Sequence, residues 1–399
     1  MRVGGEKFEN RKGLMKKVAI IGIGQVPVRE HWDQSIKALA VQALFHALED
    51  ANRDEIDGLY VGNMLSGRLS EQEHLGALIA EQAGFPGIEA VKVEAACASG
   101  AAAFRQAVLA VASGRKKCVA ALGVEKLTEL SGWRASDGLA MAADADFETS
   151  LGLTFVALNA MVMRRFIFEH NVKRELFAAF PMLAHRNARY NPNAMFQHEI
   201  SLNQYQQAKM IADPINLLDS SPIADGAAAL IVVPWDDVRD QRSAVEVLAC
   251  EVATDYVALH DRTNLLHLAA VEQSTKSALK TAGLSHRDIS FFELHDAFSI
   301  MSVLSLEAAG FLSAEEALKK VQEGYFDIGG TLPIATMGGL KGRGHPVGAT
   351  GLYQIVEAVL QLRGKAPTPL QVAEPRFAMT QNIGGTGATV VTSILKGQM

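Results

Sequence analysis

The stretch ALEDANRDEIDGLYV (residues 47–61) returns in altered form as ALKTAGLSHRDISFFEL (residues 278–294). Each reads as the end of an amphipathic helix, a short polar turn and a buried strand. A second pair of segments repeats as well. AVLAVASG (residues 107–114) and AVLQLRG (residues 358–364) each close a helix, and each helix opens on a small-residue turn, CASG at 97–100 and HPVGATG at 345–351. Self-similarity in two separate pairs of segments is an architectural signal. It predicts one fold built of two halves, residues 16–244 and 245–399, preceded by a tail over 1–15.

Outward from the repeat, VAIIGIG (residues 18–24) is a β-branched run ending in glycine, as a buried parallel strand should be. A helix is expected over 35–51, a strand over 57–61, a helix over 75–83, a strand over 90–94, a helix over 101–112 and a strand over 118–123. This alternation implies an α/β sheet covered on both faces, with helices packed between two sheets and the central strands of the halves side by side. Residues 125–215 break the rhythm with long helical stretches over 154–170 and 174–189, and read as an inserted loop domain. In the second half a helix over 267–282 leads into a strand over 289–298.

Composition narrows the function. The chain has 399 residues, 49% hydrophobic and 21% charged, which excludes both a single small module and a disordered chain. Its 38 Lys and Arg against 44 Asp and Glu give a net charge of −6, with no footprint for nucleic acid or an anionic membrane. The 3 cysteines, Cys97, Cys118 and Cys250, make no disulfide framework and no zinc-ligand spacing, so a reducing cytoplasm is expected and no metal site. No run reaches the roughly 18 apolar residues of a membrane span. The first 15 residues carry charges without an apolar signal core, with Met15 a candidate start.

Four elements carry chemistry. Cys97, in VEAACASGAAAF, sits where a strand turns into a helix, so it is either a buried small hydrophobe or a nucleophile whose thiolate the helix N-terminus stabilises. His345 stands in GGLKGRGHPVGATG, in the half-repeat position equivalent to the Cys97 turn; it is either structural or the partner that activates that thiol. His295 and Asp296 follow an apolar strand, where an open α/β sheet binds ligands, though a loop cap would read the same. TQNIGGTGATVV (residues 380–391) is a glycine turn between strands whose amides can form an anion nest or an ordinary hairpin.

In this order the four elements resemble the signatures of the thiolase superfamily, from about residue 15 to 396: a CxS turn (Cys97-Ala98-Ser99), an NEAF or HDxF loop (His295-Asp296-Ala297-Phe298), a GHP histidine (Gly344-His345-Pro346) and a CxG turn. The last departs, reading Asn382-Ile383-Gly384. The resemblance implies the thiolase fold, an α/β structure of duplicated βαβαβαββ halves in five layers, α-β-α-β-α, with an inserted loop domain. It implies that Cys97 carries the acyl group, that His345 activates the thiol and stabilises the enolate oxygen, and that His295 stands at the oxyanion site in place of the asparagine of NEAF. The amides of Cys97 and Gly384 would form a second oxyanion hole. Ser221, in SSPIADGAAA, would contact the coenzyme A pantetheine. Ser150-Leu151-Gly152 stands where many thiolases carry a histidine before Met-Gly.

The resemblance further implies acyl-CoA substrates, with coenzyme A as substrate and product and no permanently bound cofactor. It implies a homodimer or homotetramer, whose interface includes the first-half strand near Cys118, and a zinc-ribbon/OB-fold partner protein in the HDxF branch. The expected activity joins two acetyl-CoA into acetoacetyl-CoA or runs the reverse thiolysis. Alternatives are C-acylation of a nucleophile other than an acyl-CoA enolate, and a non-catalytic channelling subunit. Condensation needs a base for the α-proton, and the family's usual base is the cysteine of CxG. Asn382 has no titratable proton, and Ala297 stands where HDCF offers a second cysteine, so His295 is expected to take over proton transfer.

Overall fold

The computed structural model describes residues 16–238 and 241–398; the expected tail over 1–15 lies outside the described residues. In the first half the chain runs β1 (Val18–Gln25), α1 (Ile36–Ala51), β2 (Gly58–Gly62), α2 (Ser66–Leu69), α3 (Leu75–Gln82), β3 (Glu89–Val93), α4 (Ser99–Ala112) and β4 (Val119–Glu125). It continues through α5 (Gly132–Ala140), α6 (Phe155–His170), α7 (Ala179–Ala188), α8 (Leu202–Gln207) and a small hairpin, β5 (Met210–Ala212) and β6 (Ile215–Asn216), to β7 (Gly226–Pro234). The second half runs β8 (Val245–Thr254), α9 (Ala269–Ala282), β9 (Phe291–Glu293), α10 (Ser299–Ala308), α11 (Ala314–Lys320), α12 (Thr350–Leu362), β10 (Phe377–Gly384) and β11 (Thr389–Lys396).

The hydrogen-bonded strand order is β3-β2-β4-β7-β1-β8-β11-β10-β9. It is a palindrome of the duplication. With the separate hairpin β5–β6 set aside, from the centre outward each half contributes its first strand, then its last, then the strand before that, then its second. The third strand of the second half is reduced to a bridge between Phe292 and Ile334. The halves meet through Val18↔Val247, Ala19↔Glu246 and Ile20↔Val245, so the first strands do lie side by side.

Strands covered on both faces read as continuous apolar runs, and β7 (GAAALIVVP) demonstrates why. Ala228, Leu230 and Val232 point into a central layer shared with Phe104, Ala107 and Val111 of α4 and Leu352, Ile355 and Val359 of α12. Ala227, Ala229 and Ile231 point outward onto Leu39, Ala43 and Leu44 of α1 and Ile79 of α3. On the other side Phe292, Met379 and Ile394 pack against Val271 and Ala278 of α9 and Ile300 and Leu304 of α10. The result is the five-layered α-β-α-β-α arrangement.

Two local expectations differ. The helix expected over 174–189 is a 3₁₀ turn, Arg174–Ala178, followed by α7. Pro181 is the cause: it lacks an N–H and is tolerated only in a first turn, so α7 starts just before it. The strand expected over 289–298 ends at Glu293, because the next residues turn away to place Asp296, whose Oδ1 accepts from the Leu340 amide at 2.6 Å. The strand after Cys118 is β4, flanked by β2 and β7, and the free edge of the first half is β3.

Candidate active site

The turn between β3 and α4 presents Cys97. Ala96 takes a left-handed backbone, φ +50°, unusual for a residue with a Cβ. Ser99 staples the turn: its Oγ accepts from the Ala95 amide at 2.9 Å and donates to the Ala96 carbonyl at 2.5 Å. That is a structural reason for the serine of CxS. Cys97 is 2% exposed and packs with Leu65, Leu127 and Val347.

A helix N-terminus alone would lower the Cys97 pKa, as the sequence suggests. Burial, reinforced by the Glu125 carboxyl, instead pushes the thiol up to about 12, against the partial relief of the Gly385 and Cys97 amides. The resting group is a thiol. Gly384 is needed for close approach, since a Cβ there would stand 2.3 Å from the Ala95 carbonyl. The Gly385 amide, next in this turn, is among the groups that oppose the rise of the Cys97 pKa.

The two histidines meet edge to face with ring centroids 5.2 Å apart. His345 Nδ1 lies 2.7 Å from the Thr350 hydroxyl. Burial and the Arg343 guanidinium lower its pKa to about 3. His295 Nδ1 lies 3.1 Å from Asn382 Nδ2 on β10. Burial, then His345, Lys341 and Arg343, hold this ring well below the usual imidazole range. Both rings are therefore neutral at physiological pH. Asp296 anchors the HDAF turn from behind: Lys341 donates to its carbonyl and sits 3.7 Å from Oδ2.

The starts of α4 and α12 cross closely at Gly100 and Gly351. A Cβ on Gly100 would stand 2.8 Å from the Gly348 carbonyl, and one on Gly351 would stand 2.6 Å from the Ala101 amide. This crossing, with Val347 packed beside Cys97, draws the GHP segment and the CxS turn together. Ser221 joins through its backbone, donating to the Ala297 carbonyl at 2.8 Å beside the HDAF turn. Ser150 does not join: it is exposed and its hydroxyl is bonded to the Asp146 carbonyl at 2.6 Å.

Glu125, Asn63 and Thr350 escaped sequence reasoning. Glu125 ends β4, fully buried, and accepts from Asn63 Nδ2 and the amides of Met64, Leu65 and Gly348 at 2.9–3.0 Å. Its carboxyl thereby ties the loop after β2 to the GHP segment, and burial raises its pKa to about 7. The sequence pattern ends this strand at 123 and places Glu125 at the start of the inserted region, whereas β4 runs through it. Among the described residues no cluster of His, Cys, Asp and Glu could hold a metal ion, and no helix is long and apolar enough to cross a membrane.

Residues 18–236 match the family description "Thiolase, N-terminal domain" and residues 252–397 match "Thiolase C-terminal domain-like". The chain belongs to the thiolase family. It is 42% identical over 383 residues to the acetyl-CoA acetyltransferase of Methanothermobacter thermautotrophicus, covering 95% of this chain and 99% of the relative. It is 38% identical over 390 residues to the acetyl-CoA acetyltransferase of Methanocaldococcus jannaschii, covering 96% and 99%. Among solved structures, a chain of the "Ltp2-ChsH2(DUF35) aldolase" superposes with a TM-score of 0.83 at 25% identity, covering 96% of this chain and 98% of that one. This thiolase-family protein is an acyltransferase.

Proposed function

We propose that the protein moves an acyl group between thioesters through an acyl-Cys97 intermediate, joining two acetyl-CoA into acetoacetyl-CoA or running the reverse thiolysis of a 3-oxoacyl-CoA. The observation that carries this is one buried constellation: Cys97 beside the GHP segment, with two neutral imidazoles 5.2 Å apart, each held by a polar side chain. A thiol pushed up to about 12 is a weak nucleophile until a base takes its proton at the moment of attack. His345 is suited to this. Its Nδ1 can donate to Thr350, which leaves a lone pair on Nε2.

The Cys97 sulfur then attacks the acyl carbon, the bond to the coenzyme A sulfur breaks, and that sulfur leaves with the proton from His345. In the second step the α-carbon of acetyl-CoA attacks the acyl-cysteine and the Cys97 thiol is restored. The amides of Gly385 and Cys97, together with the close approach of Gly384, stabilise the charge that develops around the acyl-cysteine. Coenzyme A is substrate and product, with no resident cofactor, and Ser221 beside the HDAF turn is the candidate contact for its pantetheine.

Four arginines of the inserted region are engaged in ion pairs, Arg164 with Asp213, Arg165 with Glu169, Arg186 with Asp327 and Arg189 with Glu199, while Arg134 and Arg174 lie over the rings of Trp133 and Tyr205. The description of the aldolase neighbour as an assembly of two named components favours a partner protein here as well.

Acetyl-CoA mixed with the enzyme should add one acetyl mass to the peptide bearing Cys97, and acetoacetyl-CoA should follow. His295→Ala should abolish condensation while acylation stays measurable. An enzyme that never acylates Cys97 sinks the proposal.

A further inference from the structure

The two buried histidines differ in what holds their Nδ1 atoms. His345 faces a hydroxyl, Thr350 Oγ1 at 2.7 Å, which can donate or accept. His345 is thus free to adopt either tautomer. His295 faces the amide nitrogen of Asn382 at 3.1 Å, and a primary amide nitrogen only donates. His295 Nδ1 must hold the lone pair, and the single proton of the neutral ring sits on Nε2.

The orientation of the Asn382 amide follows from its other end. Its Oδ1 is buried without a hydrogen-bond partner. It lies against Gly351, where an added Cβ would be 2.3 Å from Oδ1 and 2.6 Å from the Ala101 amide in the first turn of α4. First-turn N–H groups have no partner within their helix and carry the positive end of its dipole. A carbonyl oxygen is stabilised there, whereas an NH₂ group would face like-signed hydrogens. The same reversal would aim the amide oxygen at His295 and move the ring proton to Nδ1. Electrostatics at the helix start and the identity of residue 382 therefore act together. Neither Nε2 is bonded to another described residue, and neither is among the sealed polar atoms of the interior, so both open on accessible space.

We propose that Asn382 is a positioning residue that locks His295 in its Nε2–H tautomer, so that His295 donates a hydrogen bond to the enolate oxygen and His345 alone accepts protons. This rests on the acyl-Cys97 reaction proposed above, and it replaces the expectation that His295 is the base. After coenzyme A has left as a thiol, His345 Nε2 takes the α-proton of acetyl-CoA. The C–H electron pair delocalises onto the thioester oxygen held by His295, and the carbanion attacks the acyl carbon of acyl-Cys97. The carbon–sulfur bond to Cys97 breaks, and the sulfur recovers the proton from His345. Two acetyl-CoA become acetoacetyl-CoA and coenzyme A, with no base required at position 382.

The test reads the tautomer directly. In full-length enzyme labelled with ¹⁵N-histidine, the His295 signals are those lost in His295→Asn. The neutral ring should carry its proton on Nε2; a proton on Nδ1 in the unmodified enzyme overturns the proposal, whether or not any variant folds. Asn382→Asp presents an acceptor, and should move the proton to Nδ1 and slow condensation about 100-fold more than acylation, the usual cost of one oxyanion donor. An Asp variant that keeps the Nε2–H ring, or that slows both half-reactions equally, also overturns it. Failure of Cys97 to take up an acetyl group strikes at the proposed reaction instead and leaves the tautomer measurement standing.

Discussion

Cys97 must be deprotonated as it reacts, because burial and the Glu125 carboxyl hold its thiol at about 12. Alkylation of Cys97 by iodoacetamide in free enzyme should therefore be slow at neutral pH and rise about tenfold per pH unit up to pH 9, following the thiolate fraction. A plateau near pH 8 would show a thiol already activated at rest. Thr350 is the group that lets His345 hold its proton on Nδ1. Thr350→Val should slow acylation of Cys97 by acetyl-CoA about tenfold or more, and Thr350→Ser should restore it. Stopped-flow release of coenzyme A reads both. At this scale the identities of Cys97, His295, His345 and Asn382 were legible in the sequence, and their protonation was not. A helix N-terminus pulls a cysteine pKa down, and only the surrounding structure reveals that burial and a carboxyl from another strand pull harder the other way.

The site exists because the starts of α4 and α12 cross without side chains between them. Gly351→Ala would place a Cβ 2.6 Å from the Ala101 amide and 2.3 Å from Asn382 Oδ1, both in packed interior. The substitution should destabilise the protein by about 2 kcal/mol, seen as a lower denaturant midpoint, and push Asn382 off His295. Gly84→Ala is the contrasting case: no atom lies within 4 Å, so only its backbone conformation of φ +84° opposes the change. The elements themselves were largely legible, because strands buried on both faces and helices with one apolar stripe have distinct periods. Their ends were less so. The HDAF segment looks like more strand because Ala297 and Phe298 are apolar, yet the bonds of Asp296 to Leu340 and Lys341 draw it out of the sheet.

For the whole molecule, buried ionisable groups set the pH range of stability. Burial raises the carboxyls of Glu125 and Glu293 to about 7. The folded state keeps these protons after the unfolded chain has lost them, so their contribution is full below about pH 4.5 and is lost as pH rises through about 7. Burial lowers His185 to about 4 and His345 to about 3, so their contribution is present above about pH 6.5 and is lost as pH falls toward those values. Unfolding free energy should peak between about pH 4.5 and 6.5, and Glu293→Gln should flatten the alkaline decline in urea titrations. If the homodimer that the thiolase resemblance implies forms, β3 is its candidate seam, a free edge with Val91 exposed. Val91→Lys should shift sedimentation toward smaller species. The sequence by itself determined the doubling, the α/β class and the candidate residues for the chemistry, because repetition, hydrophobic period and residue type are all written along the chain. Only the tertiary structure decided which strand is the edge, which way the Cys97 pKa moves and which nitrogen of His295 holds the proton. Each of these depends on contacts between residues far apart in the chain, such as Asn382 with His295 or Glu125 with Gly348, that no local pattern encodes.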